Sequence, residues 1–128
     1  MSNVRGNTFS LITLTIWLTV AGLTVGAAYA NGPGFRTQHL LEEHFAKHGR
    51  EFGRISQDQY LRYAQQLRDS HASRYILESK QRDGGAKFDR RRGWFVAYDG
   101  DGTIRTFFIP NDGERYFERQ LKSHGPPE

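Results

Sequence analysis

No cysteine occurs anywhere in the 128 residues. That absence removes disulfide frameworks, thiolate metal sites and cysteine nucleophiles together, so stability must come from ordinary packing. Neither sign of charge dominates: 18 Lys+Arg stand against 14 Asp+Glu, a formal net charge of +4 with a sequence pI of about 9.6. An excess this modest suits an anionic partner such as nucleic acid, and equally a solvated surface of mixed charge. Repeats and low-complexity tracts are also missing, and nothing marks a second domain. What is present is 13% aromatic residues and 25% charged ones, the balance of a folded domain whose rings supply the buried area that offsets chain entropy. The mean hydropathy of -0.70 averages an apolar leader with a much more polar remainder.

The leader occupies residues 1–30. A single cation, Arg5, precedes an uncharged and mostly apolar run, and Ala28-Tyr29-Ala30 places small residues at both positions of an A-x-A cleavage site. This is the layout of a signal peptide and predicts a secreted or periplasmic product. The uncharged span 6–34 is also long enough to cross a bilayer, so contact with membrane is expected only if the leader stays uncleaved. Cleavage removes one cation and no acid, and the basic bias survives. A flexible lead-in at 31–36, rich in turn formers, opens a domain expected over 37–122, with a disordered tail at 123–128.

Thr37 caps a helix predicted to run to about His48, because Leu40, Leu41, His44, Phe45 and His48 recur at spacings of three and four. Gly49 is expected to stop it in the left-handed conformation. Ser56-Gln57-Asp58-Gln59 has the form of a capping box, with Ile55 and Tyr60 as its hydrophobic staple. A second helix over about 57–68 follows, its stripe of Tyr60, Leu61, Ala64 and Leu67 facing a sheet. Strands are predicted at 75–80, where the weak periodicity also fits a helix, and at 87–89, 94–98 and 103–109, the last two joined through Asp99-Gly100-Asp101-Gly102. A final helix at about 112–121 should bury Tyr116, Phe117 and Leu121. Two helices, a small antiparallel sheet and a short C-terminal helix make an α+β domain.

Chemistry concentrates at the end of the first helix. His44 and His48 share one face, one turn apart, and they read in three ways: packed residues lining the sheet, a metal pair, or proton-transfer groups. A zinc pair suits the i, i+4 spacing, but Phe45 stands where the metalloprotease pattern has glutamate. A third ligand would have to come from His39, Glu43, His71 or a distant acid. Metal-free cleavage of RNA needs a base, an acid and cations for charge growing on phosphorus. Histidine fills either proton role near neutral pH, and Lys47, Arg50, Lys80, Arg82 and Arg105 are candidate charge stabilisers. Strict alternation puts Thr106 on one face of its strand and Arg105 and Phe107 on the other. Thr106 could then bind the scissile phosphate while Phe108, on its face, stacks on a base. Arg90-Arg91-Arg92 beside Trp94 reads either as a phosphate contact, chiefly through Arg91 and Arg92, or as a charged loop guarding a sheet edge.

His44-Phe45-Ala46-Lys47-His48-Gly49-Arg50-Glu51-Phe52-Gly53, a Tyr60-containing helix, and Gly102-Thr103-Ile104-Arg105-Thr106-Phe107-Phe108-Ile109-Pro110 together resemble the C-terminal toxin domains of bacterial contact-dependent inhibition proteins. Those are similar to colicin D and the barnase/EndoU/colicin group of metal-independent ribonucleases. The resemblance covers about 37–120. It implies a toxin that cleaves RNA, typically tRNA near the anticodon loop, leaving a 2',3'-cyclic phosphate, with no cofactor and with a cognate immunity protein as partner; nothing selects for DNA. The family's Lys-His pair maps onto Lys47 and His48, and its strand hydroxyl and aromatic onto Thr106 and Phe108, where colicin D has serine and tryptophan. Its second upstream lysine has no match, because the residue two before Lys47 is Phe45. The leader also departs from the pattern, since such toxins usually form the last domain of a very large exported protein. The reading from another class is a non-catalytic secreted or periplasmic binding module of the same fold.

Overall fold

The structure is a computed structural model that describes residues 32–123. The signal peptide expected at 1–30 and all but the first residue of the expected tail lie outside the described residues. Helix α1 spans Gln38–His48 and α2 spans Gln57–Asp69, joined through a 3-10 turn at Gly49–Phe52. Strands β1 (Ile76–Gln81), β2 (Gly84–Asp89), β3 (Trp94–Asp99) and β4 (Ile104–Phe108) follow, and α3 (Glu114–Ser123) closes the series. The strands pair antiparallel in sequence order. This is the expected α+β domain.

Local chemistry sets the helix starts. The Thr37 hydroxyl accepts from the Leu40 N–H at 3.1 Å, and the Ser56 hydroxyl from the Gln59 N–H at 3.1 Å, each satisfying one orphan donor. Only half of the capping box forms, because the Gln59 amide donates forward to the Tyr63 hydroxyl at 3.1 Å instead of reaching back. At the far end of α2 the buried Lys87 ammonium donates to the carbonyls of Arg68 and Ser70. A cation is favoured there by the helix dipole.

The sheet is the middle layer of three. On one side Val96, Ile104 and Phe107 pack with Leu41, Tyr60, Ala64 and Leu67 beneath α1 and α2. On the other, Ala86, Phe88 and Phe95 pack with Phe117 of α3. The Tyr60 hydroxyl donates to the Phe107 carbonyl; burial, with Glu51 nearby, pushes its pKa up, so it stays a donor. Leu121, expected inside, is 43% exposed. Of the α3 residues Phe117 alone is buried, so a single ring seats the helix on the sheet.

Three further expectations change. Gly49 has φ -54°, an ordinary right-handed value, and the left-handed residue is Gly53 at φ 89°. What Gly49 supplies is space, since a Cβ there would sit 2.6 Å from the Phe45 ring. Gly49→Ala is therefore expected to cost about 1–3 kcal/mol through overpacking, read as a lower urea midpoint. The strand expected at 87–89 begins three residues earlier, at Gly84, where a Cβ would lie 2.0 Å from the Tyr98 carbonyl oxygen. Finally, β4 is bulged. Tyr98 pairs with Ile104 and Ala97 with Thr106, leaving Arg105 as an extra residue. That slip lets Ile104 and Phe107, three apart, share one core while Phe108 joins the other. Strict alternation across Arg105 fails for the same reason, and Arg105 lines a pocket with Thr106.

Candidate functional site

The stretch from Phe35 to the 3-10 turn is fastened along the outer edge of β4 at two points. At one, Phe35 bridges Ile104 in parallel sense, and the Ile104 N–H donates to the Gly34 carbonyl at 2.9 Å. At the other, the Ile109 N–H donates to a Glu51 carboxylate oxygen at 2.8 Å. The helical face carrying the histidines is held between them. Ring centroids run from Phe35 to His44 at 5.0 Å, His44 to His48 at 6.2 Å, and His48 to Phe108 at 5.2 Å. Phe108 then meets Tyr116 of α3, also at 5.2 Å.

His48 is the oriented member of the row. Its Nδ1 lies 2.9 Å from the other Glu51 carboxylate oxygen. A carboxylate only accepts, so Nδ1 carries hydrogen and Nε2 is the nitrogen left to exchange a proton. Glu51 thereby ties the ring to the backbone at the end of β4. The side chain of His48 is 15% exposed, which restricts its rotation and still leaves a path to solvent.

His44 is held differently. Its Nδ1 is buried without a partner. Burial lowers its pKa from 6.5, the positive fields of His48 and Lys47 lower it further, and Glu43 opposes them. The folded chain therefore favours neutral His44. Below about pH 6.5 the unfolded chain binds that proton first, so stability falls as pH drops toward the lowered folded value and rises with pH across the same window. Urea midpoints between pH 7 and pH 5 are expected to fall less in His44→Gln than in the natural sequence.

The other candidates divide by position. Lys47 and Arg50 are exposed on either side of His48, and neither makes a side-chain hydrogen bond or ion pair among the described residues. Arg105 is held by Asp99 at 3.1 Å and the Tyr98 carbonyl at 3.3 Å. Lys80 and Arg82 do not join this group. They line a separate cleft of 480 Å³ with Arg68, Tyr98 and Asp99, and the β1 edge lies three strand spacings, about 14 Å, from β4. The arginine run forms the β2–β3 turn, and each member has an internal partner. Arg90 grips Glu114 at 2.7 and 3.0 Å, Arg91 lies 3.6 Å over the Tyr75 ring, and Arg92 pairs with Asp89 at 3.0 Å. Their first contribution is to anchor α3 and the turn.

Glu51, Phe35 and Tyr116 were not among the sequence candidates. Glu51 had a usable signal, its spacing of three from His48; Phe35 and Tyr116 had none, since their places depend on the sheet. His39 pairs with Glu43 at 3.2 Å, and no group of three or more His, Asp or Glu side chains is placed to hold a metal among the described residues. Comparison of the sequence with protein-family models and with curated proteins gives no match.

Proposed function

We propose that the chain is a metal-independent endoribonuclease of toxin type. The observation that carries this reading is the His48 imidazole, fixed by Glu51 through Nδ1 and set against Phe108 of the edge strand. An oriented histidine with one free nitrogen is a proton-transfer group, and the cations near it suit a phosphodiester. In the reaction the 2'-hydroxyl oxygen attacks phosphorus, its proton goes to a base, and the departing 5'-oxygen takes a proton from an acid. The products are a 2',3'-cyclic phosphate and a 5'-hydroxyl. His48 Nε2 serves one proton transfer, and neutral His44 is suited to the accepting one. Lys47 and Arg105 offset charge on the phosphate. Thr106, on the face of Phe108, donates its hydroxyl to a non-bridging oxygen.

The resemblance to contact-dependent inhibition toxins supports tRNA as substrate, a cognate immunity protein as partner and export through the leader. All three belong to the proposal. The test incubates residues 31–128 with total tRNA in excess EDTA, beside His48→Ala, and types the 3' ends of the fragments. Discrete fragments ending in cyclic phosphate are expected from the natural sequence alone. No cleavage of tRNA by folded protein would overturn the autonomous tRNase and leave the binding module as the reading to pursue.

A further inference from the structure

On the α3 side of the sheet, next to the residues given roles above, a pocket of 160 Å³ remains open. Gln81, Phe95, Ala97, Arg105, Thr106 and Gln120 line it. They come from four elements: Gln81 ends β1, Phe95 and Ala97 lie on β3, Arg105 and Thr106 on β4, and Gln120 on α3. We propose that this pocket is a base-recognition subsite that receives one unpaired nucleobase of the RNA. The proposal rests on the ribonuclease reading for its substrate class, and on the pocket itself for the rest.

Size decides first. Pockets for drug-sized ligands begin at about 300 Å³, so this one suits a single ring system and not a whole nucleotide or a folded peptide. Its chemistry fits a base edge. Phe95 and Ala97 give an apolar floor, while the Gln81 amide carries donors and an acceptor side by side, the pattern that pairs bidentately with base edges. Arg105 stands at the rim, braced by Asp99 at 3.1 Å. Thr106 belongs to both regions: it lines the pocket, and it shares a sheet face with Phe108, whose ring contacts His48. A base seated here would bring its own ribose phosphate toward that edge. A base within a duplex is stacked and cannot enter a pocket in a sheet face, so the nucleotide must be single-stranded or turned out of its stack.

The test reads binding without cleavage. The chain from residue 31, which contains every residue of the two described cores, is titrated with each of the four 3'-mononucleotides and with ribose 5-phosphate as the base-free control, following backbone amide shifts. At least one mononucleotide is expected to bind about tenfold or more tightly than the control, in line with the discrimination of one bidentate base contact. Shifts should centre on Ala97 and Thr106. Ala97→Leu, which fills the floor, and Gln81→Ala, which removes an amide, should each abolish that preference, with thermal melting as the check on folding. Mononucleotides and ribose phosphate binding alike, or a preference that survives both substitutions, would overturn the subsite. A chain that selects a base but cuts no RNA would keep this inference and lose the nuclease. One that cuts RNA and binds every mononucleotide no better than ribose phosphate would do the reverse.

Discussion

His48→Ala is expected to lower RNA cleavage by about 100- to 10,000-fold, the range contributed by a positioned general acid or base, while the domain stays folded. The imidazole is 15% exposed and lies outside both buried clusters, so its loss removes an edge contact with Phe108 and the tether to Glu51 and leaves the cores intact. Single-turnover rates with enzyme in excess would read the chemical step, and a melting curve would show that fold and rate separate. Glu51→Gln should fall between His48→Ala and the natural sequence. The amide can still meet the Ile109 N–H through its oxygen, but it brings no negative charge to the imidazole as a proton is passed. A loss under about tenfold for His48→Ala would remove the residue from proton transfer, because that is below what such a group supplies. Equal losses for His48→Ala and Glu51→Gln would mean that orientation of the ring, rather than its presence, limits the rate.

Much of the fold was legible because its signals are local. Thr37 and Ser56 announce helix starts by side-chain chemistry that acts within three residues, and the aromatic run at 94–98 needs no distant partner to favour a strand. Legibility stopped where the deciding partner lies far along the chain. Arg90 reads as a free cation until α3 brings Glu114 to it, and Lys80 and Arg82 read as neighbours of the histidines until strand order sends them to the opposite edge. The bulge at Arg105 carries no compositional mark, since it arises from fitting Ile104 and Phe107 into one core. The helical spacing of His44 and His48 was visible, as was the hydroxyl-aromatic pair Thr106 and Phe108. That His48 and Phe108 touch follows only from the edge packing of α1, which no local pattern encodes.

Phe107→Ala should be the most destabilising of the substitutions considered, at about 3–5 kcal/mol for a buried phenylalanine. Phe107 has no exposed surface. Its ring lies 4.5 Å from that of Phe52, 5.2 Å from Tyr60 and 5.6 Å from Trp94, so truncation opens a cavity walled by three rigid rings that relax poorly into it. A domain of this size has about 5–15 kcal/mol in total, and the variant is expected to be partly unfolded at 37 °C. Phe107→Leu keeps most of the volume and should cost clearly less; urea midpoints of the two give the graded comparison. The same residue couples stability to the site. Phe107 pins β4 to the helix layer, and strand alternation then turns Phe108 to the other face and toward His48. At a temperature where Phe107→Leu remains folded, cleavage should fall only as far as the His48–Phe108 contact loosens, whereas His48→Ala loses its rate with the fold intact. If Phe107→Leu lost activity as completely as His48→Ala while keeping its urea midpoint, the buried ring would be acting on the site through β4, and edge-strand position rather than proton transfer would be the quantity to measure next.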